Sequence, residues 1–100
     1  MTAVTITRDE VQNFEFKIDG SRKIHRIPLV AYLPYSFMRR MLTIDSDQSF
    51  ALALLHEFCP ELEADDSFTL GTAMAVYEAW QKASKEDGAT MGESLASSER

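Results

Sequence analysis

The chain first alternates, then lengthens its period, then stops repeating. In NFEFKI, residues 13–18, Phe14, Phe16 and Ile18 take one set of alternate positions and Glu15 and Lys17 the other. A period of two marks a half-buried strand. Asp19-Gly20 follows, and glycine's tolerance of positive φ favours a turn there. KIHRIPLV reads as a returning strand, so a hairpin is expected. Its register is open: a three- or five-residue loop puts Ile24 on the Phe16 and Ile18 face, and a two- or four-residue loop puts Ile27 and Leu29 there. Pro28 lacks an N–H, so pairing should stop near it or this strand should lie at an edge. Residues 1–12 carry no clear period, with VTI at 4–6 as a short candidate strand.

Beyond Leu33 the period becomes helical. Pro34 suits a first helical turn. Phe37, Met38, Met41 and Leu42 then alternate in pairs with Tyr35, Ser36, Arg39 and Arg40, which predicts an amphipathic helix of about three turns. DSDQ at 45–48 offers a cap and early acidic charge for a second helix over 48–59, with Ala51, Leu54, Leu55 and Phe58 on one stripe and Phe50 adjacent. Pro60 stops it. ELEADDS at 61–67 reads as an acidic connection in which Asp66 or Ser67 caps a third helix. There Leu70, Ala73, Met74, Tyr77 and Trp80 form a stripe that should end near Ser84. Gly71 costs that helix up to about 1 kcal/mol unless it admits another backbone. From Lys85 onward Met91 and Leu95 stand isolated, too few to offset an ordering cost of about 1–2 kcal/mol per residue. The expected fold class is α+β: a small N-terminal hairpin sheet followed by three helices. One domain is expected over 1–84, with a flexible tail over 85–100.

Composition narrows the function classes. One hundred residues suit one domain with one core. A single cysteine, Cys59, cannot form an intrachain disulfide, and its spacing from His25 and His56 matches no usual zinc signature. No apolar run approaches the roughly 18 residues of a membrane span, and the N-terminus lacks the pattern of a signal peptide. A cytoplasmic protein is the default. The net charge of −6 argues against general nucleic-acid binding, yet it hides a polarity. Residues 17–40 hold six Lys/Arg against Asp19 alone, and residues 41–66 hold seven acids and no Lys or Arg. Either the surface is polarised or the two halves pair internally.

Reactive constellations are scarce. His25 and His56 read most simply as surface histidines. Cys59 ends a helix, where the dipole raises a thiol pKa. The acids at 61–66 lack the spacing and central glycine of a calcium loop, and no glycine loop for phosphate is present. Lys17, Arg22, Lys23 and Arg26 cluster on the hairpin without the aromatic interleaving of a single-strand binding surface. No cofactor and no catalysis are expected.

The excess lies in the apolar helices. Phe37, Met38, Met41, Phe50, Leu52, Leu54, Phe58, Met74 and Trp80 are either core or a partner-binding surface, and Arg22, Lys23, Arg26, Arg39 and Arg40 are the candidate charged surface. The second helix is apolar nearly all round and needs cover on more than one side. Thioether side chains at Met38, Met41 and Met74 can repack around different helical partners.

The order FEFKIDG, IPLVAYLP, FCPELEADDSF, YEAWQKAS and MGESLASS resembles the tail assembly chaperones of long-tailed bacteriophages, especially those of actinobacteria. The resemblance spans roughly residues 14–98. It implies a non-enzymatic factor of the host cytoplasm that coats the helical tape measure protein and is absent from the finished virion. It also implies a longer frameshifted form that recruits tail-tube subunits, and it fits homo-oligomerisation of the free protein. Two other classes compete: a small acidic regulator of antirepressor or anti-toxin type that binds a basic protein through residues 45–66, and a structural head–tail connector component.

Overall fold

The computed structural model describes residues 3–8 and 10–87. Strands β1 (Asn13–Phe16) and β2 (His25–Pro28) pair antiparallel, with Phe14 opposite Ile27 and Phe16 opposite His25. Continued to Ile18 and Lys23, this register leaves residues 19–22 as the loop, which has even length. Ile27 therefore joins the inward face and Ile24 stays outside. The turn closes where Ser21 N–H donates to the Ile18 carbonyl at 2.9 Å, with Gly20 at φ 85°. Upstream, residues 4–6 form no strand; Val4 and Ile6 are each 82% exposed, with nothing among the described residues to pair with or pack on.

Leu29 N–H donates to the Gln12 carbonyl at 3.0 Å. Antiparallel ladders alternate bonded and unbonded pairs, so the backbones of Pro28 and Arg26 turn away from β1. The missing N–H of Pro28 thus breaks no ladder bond. The outward carbonyls are met from elsewhere in the chain. Trp80 Nε1–H donates to the Pro28 carbonyl at 2.8 Å, and the Cys59 thiol points at the Arg26 carbonyl from 3.7 Å. One turn beyond Trp80, buried Ser84 Oγ accepts from Val30 N–H at 3.1 Å.

The helices follow in chain order. A 3-10 turn at Val30–Tyr32 leads to α1 (Tyr35–Arg40). Helix α1 is shorter than three turns, because the chain tightens into a 3-10 turn at Met41–Thr43 and becomes extended at Ile44. Leu42 is 80% exposed as a result. Helix α2 (Asp47–Phe58) starts at Ser46, whose hydroxyl accepts from Ser49 N–H at 3.1 Å. Pro60 ends α2 and opens a 3-10 helix at Pro60–Ala64. The expected acidic connection is therefore partly helical, and it inserts Leu62 into the core. Helix α3 (Leu70–Glu86) is capped by Thr69, not by Asp66 or Ser67. Ser67 is held instead by Asp65 Oδ1, and Phe68 packs on the core before the helix begins. Helix α3 takes in Lys85 and Glu86, two residues of the expected tail; residues 88–100 lie outside the described residues.

A run of rings joins the helices. Phe58 and Phe50 flank Phe37 with centroids at 5.3 and 6.0 Å, and Phe50 meets Tyr77 and Trp80 at 6.0 and 6.1 Å. Such edge and tilted contacts add to burial. Helix α2 sits at the centre of this cluster. Phe37, Ile27, Leu62, Tyr77 and Trp80 of the same chain supply most of the cover that its apolar surface requires.

Trp80→Phe keeps a ring but removes the donor to the Pro28 carbonyl, and Ser84→Ala strips the acceptor from Val30 N–H. Each should lower unfolding free energy by at least about 1–3 kcal/mol in urea titrations, the cost of an unpaired buried group. Gly71→Ala should act oppositely. A Cβ there meets nothing closer than Thr69 Oγ1 at 3.7 Å, so stability should rise by about 0.4–1 kcal/mol.

Candidate functional site

The residues singled out as an apolar surface divide. Phe37, Phe50, Leu54 and Trp80 are core and present no surface to a partner. Met38, Met41, Phe58 and Met74 are partly buried against that core. Leu52, on α2, is 46% exposed. Periodicity set Leu52 off the main α2 stripe, but a helix apolar nearly all round gave no way to tell its covered positions from its open one.

Leu52 stands at the rim of a cleft of about 580 Å³ between α2, the Pro60–Ala64 helix and the start of α3. Leu55, Leu62, Phe68, Leu70 and Ala73 line it, and Cys59 lies at its edge with the cluster described below. Leu70, 47% exposed, faces it from α3. The volume is that of an ordinary ligand site. The cleft exists because Pro60 ends α2 and the 3-10 helix tucks Leu62 inward, so the chain turns away before α3 begins. Leu62, Phe68 and Leu70 carried no weight in the sequence reading of a binding surface. For Leu62 and Phe68 the signal was the apolar punctuation of an acidic segment; Leu70 was read as the first residue of the third helix's stripe.

Among the described residues, Glu63 is the one charged residue that lines the cleft, and its carboxylate bonds exposed His56 of α2. Of the charged surface, Arg26 pairs with Glu15 across the hairpin at 2.6 Å, and Arg40 pairs with Glu57 at 3.3 Å while lying over the Phe37 ring. Arg22, Lys23 and Arg39 are exposed. One Arg–Glu bridge therefore joins the basic and acidic halves, and much of the polarity remains at the surface.

His56 is exposed, but His25 is not a surface histidine. It is 5% exposed, because the even hairpin loop turns it inward with Ile27. Its ring stacks on Phe16 at 5.2 Å, and Nδ1 bonds Glu61 Oε2 at 2.6 Å. The donor atoms of His25, Cys59 and Glu61 all lie within 4.8 Å of one another. Chain spacing gave no reason to group them. The hairpin register and the Pro60 turn bring them together.

The Glu61 carboxyl is held below its usual value of 4.5, first by its own backbone N–H and then by His25. The Cys59 thiol is pushed up from 9.0 to about 11, by burial first and by the Glu61 charge second. Tyr77 is pushed up to about 12 by burial and by Asp47.

No helix among the described residues is long and apolar enough to cross a membrane. Set against known protein families, curated proteins and solved structures, the chain matches none.

These shifts have opposite signs. Glu61 is depressed, so its contribution is present above pH 4.5 and lost as pH falls through its lower folded value. Cys59 is raised, so its contribution is complete below pH 9.0 and lost as pH climbs through about 11. Melting temperature should fall at both extremes. Glu61→Gln should flatten the acid limb, and Cys59→Ala should flatten the alkaline one.

Proposed function

We propose that this chain is a non-catalytic binding protein that shields an amphipathic helix of another chain, in the manner of a tail assembly chaperone acting on a tape measure protein in the host cytoplasm. The observation that carries this reading is the apolar cleft with half-exposed Leu52 and Leu70 at its rim and Glu63 beside it. A helix laid in a groove presents anchors at intervals of three and four residues. Apolar anchors fill the cleft, while a Lys or Arg flanking them meets Glu63. Many modest contacts along one long client give avidity without tight single sites. Recruitment of tail-tube subunits by a longer form, and self-association of the free chain through the same cleft, belong to the same reading.

The acidic segment over 45–66 supports one rival, a regulator that binds a basic protein by charge. Salt separates the two. Charge-only binding is screened within about 8–10 Å at moderate ionic strength, whereas cleft binding persists. Isothermal titration with amphipathic helical segments of a tape measure protein tests the proposal. Leu52→Ala combined with Leu70→Ala should weaken binding by about tenfold, the loss of two half-exposed apolar contacts at the cleft, with the melting temperature little changed. Phe37→Ala is no test of the interface, since emptying that core site costs about 3–5 kcal/mol. Absence of binding, or affinity indifferent to the paired leucine substitution and abolished by salt, overturns the reading.

A further inference from the structure

Separate from the cleft's role in binding protein, the His25, Cys59 and Glu61 cluster has the composition of a metal centre. We propose that these three side chains bind a divalent transition-metal ion of borderline softness, Zn²⁺ by their chemistry, with its fourth position facing solvent. An imidazole, a thiolate and a carboxylate are the donor types that zinc takes, and three protein donors with one open position is an established coordination pattern. Zinc bonds of about 2.0–2.3 Å set tetrahedral donors about 3.3–3.6 Å apart. Here the three donor atoms lie within 4.8 Å, and the His25–Glu61 pair at 2.6 Å need open only slightly to admit an ion.

Three features set this cluster apart from a scattering of surface acids. His25 and Cys59 are buried, at 5% and 0% exposure, so their positions are fixed by packing. Phe16 stacks on the imidazole and holds its plane. The open side is a polar cavity of about 350 Å³, where Asp19, Ser21, Lys23 and Asp65 stand beside His25 and Glu61, with room for a coordinated water. The charges also balance. Binding releases the thiol proton, now directed at the Arg26 carbonyl, to solvent, and moves the imidazole proton from Nδ1, where it bridges to Glu61, to Nε2. A thiolate and a carboxylate with a neutral imidazole then neutralise a divalent ion, so the half-buried centre carries no net charge. Lys23 is the unfavourable neighbour; it is exposed, and Asp19 and Asp65 face the same cavity.

Occupied, the ion would tie β2 to the end of α2 and to the Pro60–Ala64 helix through three donors. Co²⁺ serves as the probe, added to chelator-treated, reduced full-length protein. A sulfur-to-cobalt charge-transfer band should grow to one equivalent, with visible bands of tetrahedral intensity, and Zn²⁺ should displace it. Cys59→Ser should abolish the charge-transfer band. Glu61→Gln, at an exposed position that leaves the core untouched, should weaken cobalt binding at least about tenfold, since even outer partners of a metal site are worth that much. Lys23→Gln should tighten it about two- to fivefold, the scale of one screened surface charge. Melting temperature should rise with Zn²⁺ in the parent and rise less in Glu61→Gln at the same metal concentration. No charge-transfer band in excess cobalt, or binding by calorimetry that Glu61→Gln leaves unchanged, overturns the proposal and leaves a plain buried His–Glu pair.

Discussion

The bond from the Trp80 indole to the Pro28 carbonyl is the constraint on which the rest of this small fold depends. A two-stranded sheet is marginal by itself. Its second strand has outward carbonyls that must find donors once the helices cover them. Trp80 solves both problems at once. Its N–H satisfies the carbonyl at 2.8 Å, and its rings lie fully buried among Phe50 and Tyr77. Ser84, one turn on, repeats the connection at Val30. Two side chains of one helix face therefore fix the hairpin's exit strand and the start of the next turn. The chain's largest aromatic lies late in the sequence because the element it secures lies early.

With α3 fixed to β2, α2 is enclosed. Cover comes from β2, α1, the 3-10 helix and α3, which leaves few apolar positions for a partner. The expectation that α2 needs cover on several sides was sound, but the chain itself provides most of it. What remains open is where the path turns, between the end of α2 and the start of α3. Binding surface in this protein is thus a product of connection geometry more than of any one amphipathic helix.

The fold was largely legible in the sequence. Alternation at 13–18 and helical stripes at 50–58 and 70–80 are repeated signals, and packing agrees with them. The site was less so. His25 looked like one basic-strand residue among others, and its burial hangs on whether the loop is odd or even, a parity that Asp19-Gly20 alone does not state. Leu62 and Phe68 are single apolar residues among acids, with no period to mark them, yet they shape the cleft. Conversely, Trp80 and Phe37 carried the strongest apolar signal and are buried for that reason. A large aromatic on a regular stripe is what a core selects; an interface is built from what the core leaves half covered.

Cys59 connects the two sites argued above. Its side chain borders the apolar cleft on one side and the His25–Glu61 pair on the other. An ion held by the cluster would immobilise the segment from Cys59 to Leu62, which forms part of the cleft wall. A helix entering a wall already ordered gives up less conformational entropy on binding than one that must order it. Metal occupancy and helix binding would then strengthen one another, and by reciprocity a bound helix would tighten the metal. The coupling requires no movement of α1 or α3. The link is the Pro60–Ala64 helix itself, whose Glu61 is a ligand of the ion and whose Leu62 is part of the cleft wall.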